Sequence, residues 1–465
     1  MHRLVRYLNG ADSDGLHTTG AYVAGILYMI NPFTYDRFMA GQYEVLLGYA
    51  LLPSFVRILL EFLATPNWRR MLWLTACSVA ISIVSIHDIG LMVILTVIAL
   101  AVTIWQRRSD RQWRNKVLRL GLFGVGTFLL VSSYWLMPLV LGRGSVAGQL
   151  SSIGTNDQSA FATIGGSTIG KLGNVLRLQG FWAEARSMYQ LPQDRLHAWG
   201  LIGLMVWALA AVGGVGLWRV RRRTTLAVFG SGAFMGVVLS VGVLGGWLAM
   251  HVPLLAGYRE PEKFVALLAL AYAVFVARAT VAVLTYCRTH AGVVFSAVTA
   301  SALLLIPIAW APTMLYGFAG QLHPVHYPGD WAIINTRLNS DRGNFQTLFL
   351  PWHMYMRFDF EGRIIANPAA AYFDKPVIVS DNPEFRGAAL AKTTAAKQTL
   401  DRILPQAEYQ SGFGMQLRAL HIKYVVVDHD DTYQDEAYLA HRADMQLVVK
   451  GSTLNLYRNK AYWGK

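Results

Sequence analysis

The chain has 465 residues, of which 54% are hydrophobic and only 15% are charged, and its mean hydropathy is +0.35. Because soluble proteins carry about 25% charged residues, this composition excludes a purely soluble protein and a disordered chain. The net charge of +14 does not indicate nucleic-acid binding, since the arginines cluster in short links between apolar segments. The two cysteines, Cys77 and Cys287, lie far apart in the sequence and predict neither a disulfide nor a zinc site.

Nine apolar segments before residue 320 are long enough to cross a membrane, which takes about 20 residues in a helix. In chain order they are 17–34, 43–62, 70–86, 88–106, 119–141, 198–218, 225–250, 264–286 and 291–312. The sequence therefore predicts a polytopic α-helical membrane protein with about nine spans.

The basic residues between the spans predict the orientation of the chain. Arginines occur near the amino terminus, at Arg3 and Arg6, and in four links that fall on one side of the alternating spans: 69–70, 107–119, 219–223 and 288–290. Because Lys and Arg are retained on the cytoplasmic side, we expect the amino terminus inside and everything after residue 312 outside the cytoplasmic membrane.

A long outer loop is predicted at 142–197. Its Gly/Ser-rich part, 151–170, predicts a flexible segment, and a following amphipathic stretch contains Phe181, Trp182 and Tyr189. The stretch is typical of a segment that lies along the membrane surface. Its rings could also stack on a sugar, which makes Trp182 a candidate substrate-binding residue.

The composition changes after residue 320, where charges become frequent and apolar runs shorten to strand length. We therefore expect a transmembrane module at 1–319 and an extracytoplasmic α/β domain at 320–465. The predicted strands are 346–350, 376–380, 423–428, 446–449 and 454–457, and the predicted helix is 388–404. The domain has no hydrolase or metalloprotease motif, which favours recognition or scaffolding. Asp428 ends a buried strand as a ligand or as a strand-end cap.

The first candidate site is at the outer ends of the first two spans, where Asp36 and Arg37 precede Glu44. Ionisable groups near membrane depth are costly and are functional candidates. The structural alternative is an interfacial pair of Asp36 with Arg37, with Glu44 near the positive end of a helix dipole.

The second candidate is the dipeptide His87-Asp88 between two apolar segments. Asp88 can accept a proton or bind a metal ion, and His87 can orient it or join it as a ligand. The alternative is that Asp88 caps the following helix and His87 lies at the membrane interface.

The third candidate precedes the eighth span and comprises Arg259, Glu260, Glu262 and Lys263. Pro261 and the two glutamates are typical of a helix start. The two cations oppose the dipole there and are better explained by an anionic ligand, such as a lipid phosphate.

Four motifs together carry a family resemblance: 27–37 (LYMINPFTYDR), 48–53 (GYALLP), 259–264 (REPEKF) and 421–427 (HIKYVVV). With them the chain resembles the polytopic YfhO-like and arabinofuranosyltransferase-like membrane proteins of the GT-C glycosyltransferase class. The resemblance implies a helical module with an outward-facing active site that passes a sugar from a polyprenyl-phosphate carrier to an acceptor. The implied partners are membrane lipid, the lipid-linked donor and a glycan or lipid acceptor.

Under this resemblance a carboxylate acts as base or metal ligand, and cations stabilise the departing phosphate. The candidates for the carboxylate are Asp36, Asp88 and Glu44, and a divalent cation is a candidate cofactor. The candidates for substrate binding are Arg37, His87, Trp182, Arg259, Glu260 and Lys263. A transporter or flippase of lipid-linked glycans, or an assembly factor for them, is the alternative function.

The sequence departs from the class in one respect. The class usually carries a catalytic acid in a large first outer loop, whereas the first outer link here, 35–42, is only about eight residues long. We therefore expect that spans preceding Met1 are missing and that the principal catalytic acid lies among them.

Overall fold

The computed structural model describes residues 1–10, 14–141, 161–166, 170–186, 188–242, 244, 258, 260–381, 394–429 and 433–463. These residues form two compact units, which divide after Leu322. The first unit is helical, and the second is built on a mixed β-sheet.

The helices of the first unit are α1 (His2–Asn9), α2 (Gly15–Met29), α3 (Pro32–Met39), α4 (Tyr43–Ala64), α5 (Trp68–Val84), α6 (Ile86–Gln106), α7 (Arg111–Val131), α8 (Ser133–Leu141), α9 (Gly170–Leu176), α10 (Pro192–Arg195), α11 (Trp199–Arg219), α12 (Arg223–Ser240) and α13 (Val265–Trp310). Short 3₁₀ segments are Trp182–Arg186, Pro261–Phe264 and Pro312–Met314. A final turn, Leu315–Ala319, has left-handed backbone at its centre.

Within the described residues, five helical segments are long and apolar enough to cross a membrane: Tyr43–Ala64, Ile86–Gln106, Trp199–Arg219, Arg223–Ser240 and Pro261–Trp310. The last of these is interrupted at Gly292, whose φ of 84° and ψ of 177° are not helical. Glycine adopts positive φ without a steric penalty, so this residue separates the predicted spans 264–286 and 291–312. The chain is a multi-pass membrane protein, while nine spans and the orientation stay predictions.

The first predicted span is shorter than expected. Instead of continuing to residue 34, α2 ends at Met29, and α3 begins at Pro32. The Asn31 side chain accepts a hydrogen bond from the Thr34 amide at 3.1 Å, and Thr34 Oγ1 accepts one from the Asn31 amide at 3.2 Å. This capping box, with proline at the first helical position, starts a new helix. The first half of the motif therefore has a structural role, which is to position residues 36 and 37.

Helix α13 lies at the centre of the first unit, where α2, α11 and α12 pack against it. The approach of α11 is close: a Cβ atom added to Gly213 would lie 1.8 Å from the Phe275 carbonyl oxygen. Small residues at helix contacts are typical of membrane proteins, because dispersion contacts take the place of the hydrophobic effect there.

The second unit contains strands β1 (Gln346–Leu350), β2 (Tyr355–Arg357), β3 (Ile364–Ala366), β4 (Val377–Ile378), β5 (Ile422–Asp428), β6 (Met445–Lys450) and β7 (Leu454–Asn459). Its helices are α14 (Gly329–Ser340), α15 (Ala369–Tyr372), α16 (Ala395–Ile403) and α17 (Phe413–Ala419), with 3₁₀ segments Leu404–Gln406 and Tyr433–His441. The predicted helix 388–404 therefore begins later within the described chain, at Ala395, and residues 382–393 lie outside the described residues.

The five-stranded sheet has the order β4-β1-β5-β7-β6. Strand β1 is parallel to β4 and β5, whereas β7 is antiparallel to both β5 and β6. Successive residues of β5 face opposite sides: Tyr424 and Val426 pack in a core with Trp331, while Val425 and Val427 pack in a second core with Leu417. Burial on both faces explains why β5 reads as a continuous apolar run.

We predict that Trp331→Ala destabilises the second unit by about 3–5 kcal/mol, because the indole is fully buried among aromatic rings and its loss leaves a cavity. Limited proteolysis within residues 323–465 of the full chain measures the effect. The matched control is Ile333→Ala on the same helix, since Ile333 is 55% exposed. Equal protease resistance of the two variants would contradict the prediction.

Candidate functional site

Charged and polar side chains from three segments meet in the first unit. We call them the site cluster: Asp36, Arg37, Gln42, Glu184, Tyr189, Glu260, Glu262 and Lys263. Seven of the eight are buried, and Gln42 is half-buried. Buried charges require partners of opposite charge or shared protons, so the pairing within the cluster determines its chemistry.

The Arg37 guanidinium is the centre of the cluster. Its Nη1 atom donates to Glu260 Oε2 at 2.9 Å and to Gln42 Oε1 at 2.6 Å, and its Nη2 atom donates to Glu262 Oε2. Its Cζ atom lies 4.4 Å from the centre of the Phe181 ring. The planar fork of arginine suits two carboxylates at once, and the pairing compensates for the loss of hydration.

Lys263 completes this group of charges, because its Nζ atom lies 3.2 Å from Glu260 Oε2. Burial alone would raise the pKa of Glu260, but the Lys263 and Arg37 cations hold that pKa below its usual range. Glu260 is therefore ionised at neutral pH. Glu260 and Glu262 are both partners of the buried Arg37. Their position at a helix start is therefore not the full explanation for these two glutamates.

Asp36 faces a different set of partners from its neighbour Arg37. The Tyr189 hydroxyl donates to Asp36 Oδ1 at 3.1 Å. Burial raises the pKa of Asp36 well above its usual range, and the adjacent Glu184 carboxylate raises it further. The interfacial Asp36–Arg37 pair expected as the structural alternative is not the main contact of either residue.

Glu184 forms a carboxyl pair with Asp36. Burial raises the pKa of Glu184, and the neighbouring Asp36 and Glu184 carboxyl groups influence each other's pKa. The Gly180 and Phe181 amides donate to Glu184 Oε1 at 2.8 and 3.0 Å and fix its position. The pair therefore brings together two buried carboxyl groups with raised pKa values, the pattern of a proton donor and acceptor site.

Asp88 lies in the first turn of α6 but does not cap it. Ser85 is the N-cap, since its hydroxyl accepts from the Asp88 amide at 3.4 Å. The Asp88 side chain is fully buried, and neither carboxylate oxygen has a hydrogen-bond partner among the described residues. It packs against Gly48, where an added Cβ atom would lie 2.4 Å from Asp88 Oδ2. The capping alternative is therefore wrong.

Tyr258 connects the start of α6 to the chain just before Glu260. Its hydroxyl accepts from the Gly90 amide and donates to the His87 carbonyl oxygen, both at 2.8 Å. The centre of the His87 ring lies 5.9 Å from that of the Tyr258 ring, edge to face.

The predicted residues Asp36, Arg37, Glu260 and Lys263 meet in one cluster, and His87 and Asp88 lie beside it.

Two other predicted residues, Glu44 and Trp182, do not join the cluster, and a third lies outside the described residues. Glu44 is exposed in the first turn of α4. Arg259 lies outside the described residues, as does most of the Gly/Ser-rich part of the outer loop. Trp182 is only 8% exposed, with its ring 5.1 Å from that of Phe181. The stretch around it packs into the unit, which corrects the prediction that it lies along the membrane surface.

The sequence analysis missed Glu184 and Gln42 and assigned no site role to Glu262. One signal was available for Glu184, because it is a single acid within the apolar and aromatic stretch that follows Phe181. A carboxylate in such a stretch needs a buried partner. Which partner it has depends on packing between distant segments.

The described residues do not fit a protein-bound divalent cation. Within them, no three His, Cys, Asp or Glu side chains come together in a possible metal-binding group. Asp36 and Glu184 supply only two carboxyl groups, both with raised pKa values, whereas cations such as Mg²⁺ and Ca²⁺ bind ionised oxygen ligands. We therefore derive no step through a metal ion.

The fold is similar to solved structures of a membrane enzyme. One is a single-particle cryo-EM structure of arabinofuranosyltransferase AftD from Mycobacteria, with a TM-score of 0.61 and 16% identity, covering 95% of this chain and 31% of that chain. Another is a mutant of AftD from Mycobacteria, with a TM-score of 0.54 and 16% identity, covering 95% of this chain and 34% of that one.

The chain thus spans about a third of the length of these two structures. No family model and no curated protein matches it. At 16% identity the similarity concerns the fold alone, and at that level it agrees with the resemblance to arabinofuranosyltransferase-like membrane proteins.

We predict that Arg37→Met destabilises the first unit by about 3–5 kcal/mol, because it leaves Glu262 buried without its cation. Thermal unfolding of the purified full chain in detergent measures the loss. The control is Arg57→Met, whose partly exposed helical pair with Glu61 is worth about 0.3–0.5 kcal/mol. The prediction fails if both variants lower the unfolding midpoint equally.

Proposed function

We propose that the chain is the membrane module and outer domain of a GT-C-type glycosyltransferase. In this proposal it transfers a sugar from a polyprenyl-phosphate donor to an extracytoplasmic glycan or lipid acceptor. The similarity in fold to AftD supports the enzyme class. The observation that carries the proposal is the buried Asp36–Glu184 pair, in which Asp36 accepts a hydrogen bond from Tyr189 and has a raised pKa because of burial and the neighbouring Glu184 carboxyl group.

Asp36 is the proposed general base. The acceptor hydroxyl oxygen attacks the anomeric carbon of the donor, its proton passes to the Asp36 carboxylate, and the bond from the anomeric carbon to the phosphate oxygen breaks. The polyprenyl phosphate leaves with the bonding electron pair. A raised pKa suits this step where it brings the base near the operating pH, because the base is then partly ionised before the transfer and still binds the transferred proton well.

Glu184 and Tyr189 are positioning residues in this mechanism. Glu184 raises the pKa of Asp36, and the Tyr189 hydroxyl fixes one of the Asp36 oxygens. Both belong to the segment 180–190, which covers Asp36 in this conformation. The proposal therefore requires this segment to move when the acceptor binds.

Arg37 is also a positioning residue rather than a phosphate ligand in this proposal, because two carboxylates occupy its guanidinium. It ties α3, which carries Asp36, to the start of α13. Lys263 and Arg259 are the proposed contacts for the donor phosphate. Lys263 lies in the 3₁₀ segment Pro261–Phe264 together with Glu262, and Arg259 precedes that segment in the sequence. His87, Trp182 and Glu260 stay candidates for sugar or phosphate contacts.

Transport of lipid-linked glycans is the second candidate function. The specific observation in its favour is Asp88, a buried carboxylate without a hydrogen-bond partner among the described residues and next to other charges. Such groups in transporters bind coupling ions or protons. The two functions differ in one product, because only a transferase breaks the bond between sugar and phosphate.

We predict that Asp36→Asn lowers sugar transfer by about 10²–10⁴-fold, the usual contribution of a general base. The assay follows radiolabelled sugar from a polyprenyl-phospho-arabinofuranose into membrane acceptors, with the full chain in native membranes. Glu44→Gln is the control, because Glu44 is exposed and outside the cluster. Full transfer by Asp36→Asn would overturn the base assignment. Movement of the donor across proteoliposomes without transfer would favour transport.

We predict that Glu184→Gln moves the acidic limb of the pH profile of kcat/KM to lower pH. In the native protein, burial and the Glu184 carboxylate raise the pKa of Asp36, so the base is ionised only above a raised pKa. Removing the neighbouring charge lowers that pKa toward the ordinary value of about 4. Glu44→Gln is the control for this measurement. If the acidic limb of kcat/KM stays at the same pH in Glu184→Gln, the Asp36–Glu184 pair does not control the reaction.

A further inference from the structure

Three contacts bring basic segments together at one end of the helical unit. Arg222 Nη2 donates to the Asn9 carbonyl oxygen at 3.4 Å, Thr224 Oγ1 donates to Gln106 Oε1 at 2.9 Å, and Trp113 Nε1 donates to the Leu63 carbonyl oxygen at 2.8 Å. We call this the basic end. The site cluster contains no residue of these segments, so the basic end is a separate region.

The basic end contains two neighbouring cavities. The first, which we call the basic pocket, has a volume of about 200 Å³ and is lined by Asn9, His17, Arg222 and Arg278, among others. The second has a volume of about 310 Å³ and shares Arg222 with the first. Leu60 and Leu63 give the second cavity an apolar wall. Both cavities therefore combine polar and apolar side chains, since Val5 and Leu217 also line the first.

Arg278 lies within α13 rather than in a link. It is 13 residues after Val265, which corresponds to about 20 Å along the helix. An arginine at such a position is costly in a membrane helix and marks a functional site by default. Gly216 makes room for it, because a Cβ atom added there would lie 3.3 Å from Arg278 Cγ. The side chain is accommodated by the packing of α11.

Arg278 and Arg222 lack a carboxylate partner. No ion pair among the described residues contains either arginine, and the buried Arg278 Nε atom has no hydrogen-bond partner there. Among the described residues between Asn9 and His17, the acid is Asp14, which is bound to His17 at 2.7 Å. Two guanidinium groups thus line one cavity without an anion from the described chain to neutralise them.

We propose that the basic pocket binds a phosphate group, carried by an anionic phospholipid of the surrounding membrane or by a soluble phosphate compound. Arginine binds phosphate through paired hydrogen bonds, and basic pockets between membrane helices hold lipid headgroups. The adjoining cavity with its leucine wall has space for the glycerol end of a lipid. This site is independent of the proposed sugar transfer.

The test is native mass spectrometry of the purified full chain in detergent. Dioleoylphosphatidylglycerol, dioleoylphosphatidylcholine and inorganic phosphate are titrated separately, and the fraction of protein with bound ligand is measured. We expect the anionic lipid to bind more tightly than the zwitterionic one. Arg222→Gln should weaken that binding about fivefold, the usual effect of one cation near anionic lipid. Arg278→Gln should weaken it at least as much.

Arg221→Gln is the matched control, because Arg221 is an exposed arginine of the same link and its loss changes the net charge equally. Lipid binding that depends on Arg222 and Arg278 but not on Arg221 supports a phospholipid site. Binding of inorganic phosphate with the same dependence supports a soluble phosphate ligand. The proposal is overturned if Arg221→Gln weakens lipid binding as much as Arg222→Gln does, or if Arg222→Gln has no effect. Because Arg222 is exposed, its variant still tests the proposal if Arg278→Gln fails to fold.

Discussion

The buried guanidinium of Arg37 is the constraint on which the site depends. A cation that water cannot reach must be surrounded by anions, and here Glu260 and Glu262 supply them. Because the cation is on α3 and the anions are at the start of α13, the ion pairs join two segments more than 200 residues apart. The short helix α3 also packs through the fully buried rings of Phe33 and Tyr35, so the ion pairs and these apolar contacts together determine its position.

The same constraint divides the cluster into two electrostatic parts. Around Arg37 and Lys263 the carboxylates are ionised, since each has a cation within reach. On the other side of α3, the neighbouring Asp36 and Glu184 carboxyl groups are buried and have raised pKa values. In the proposed mechanism, the two neighbouring residues of this helix therefore differ in role: Asp36 accepts a proton, and Arg37 holds the helix.

The two ends of the helical unit differ in the way their charges are compensated. At the site cluster, the described residues provide both signs of charge, and the pairing is internal. At the basic end, Arg222 and Arg278 line a cavity without a described carboxylate partner. In our proposals, the first arrangement moves a proton within the cluster, whereas the second binds an anion from outside the described chain.

The sequence by itself determined the elements that depend on local composition. Apolar segments predicted the helices, the alternation and runs of β-branched residues predicted β1, β5 and β7 within a few residues, and the motif around Asp36 identified part of the site. It did not determine the end of α2 at Met29, because the capping box competes with a continuous apolar pattern. Only the tertiary structure decided that Glu184 pairs with Asp36, that Arg37 binds carboxylates, and that Trp182 is buried. Each of these depends on which distant segments pack together, and burial, unlike helix formation, is a property of the packed chain rather than of its local sequence.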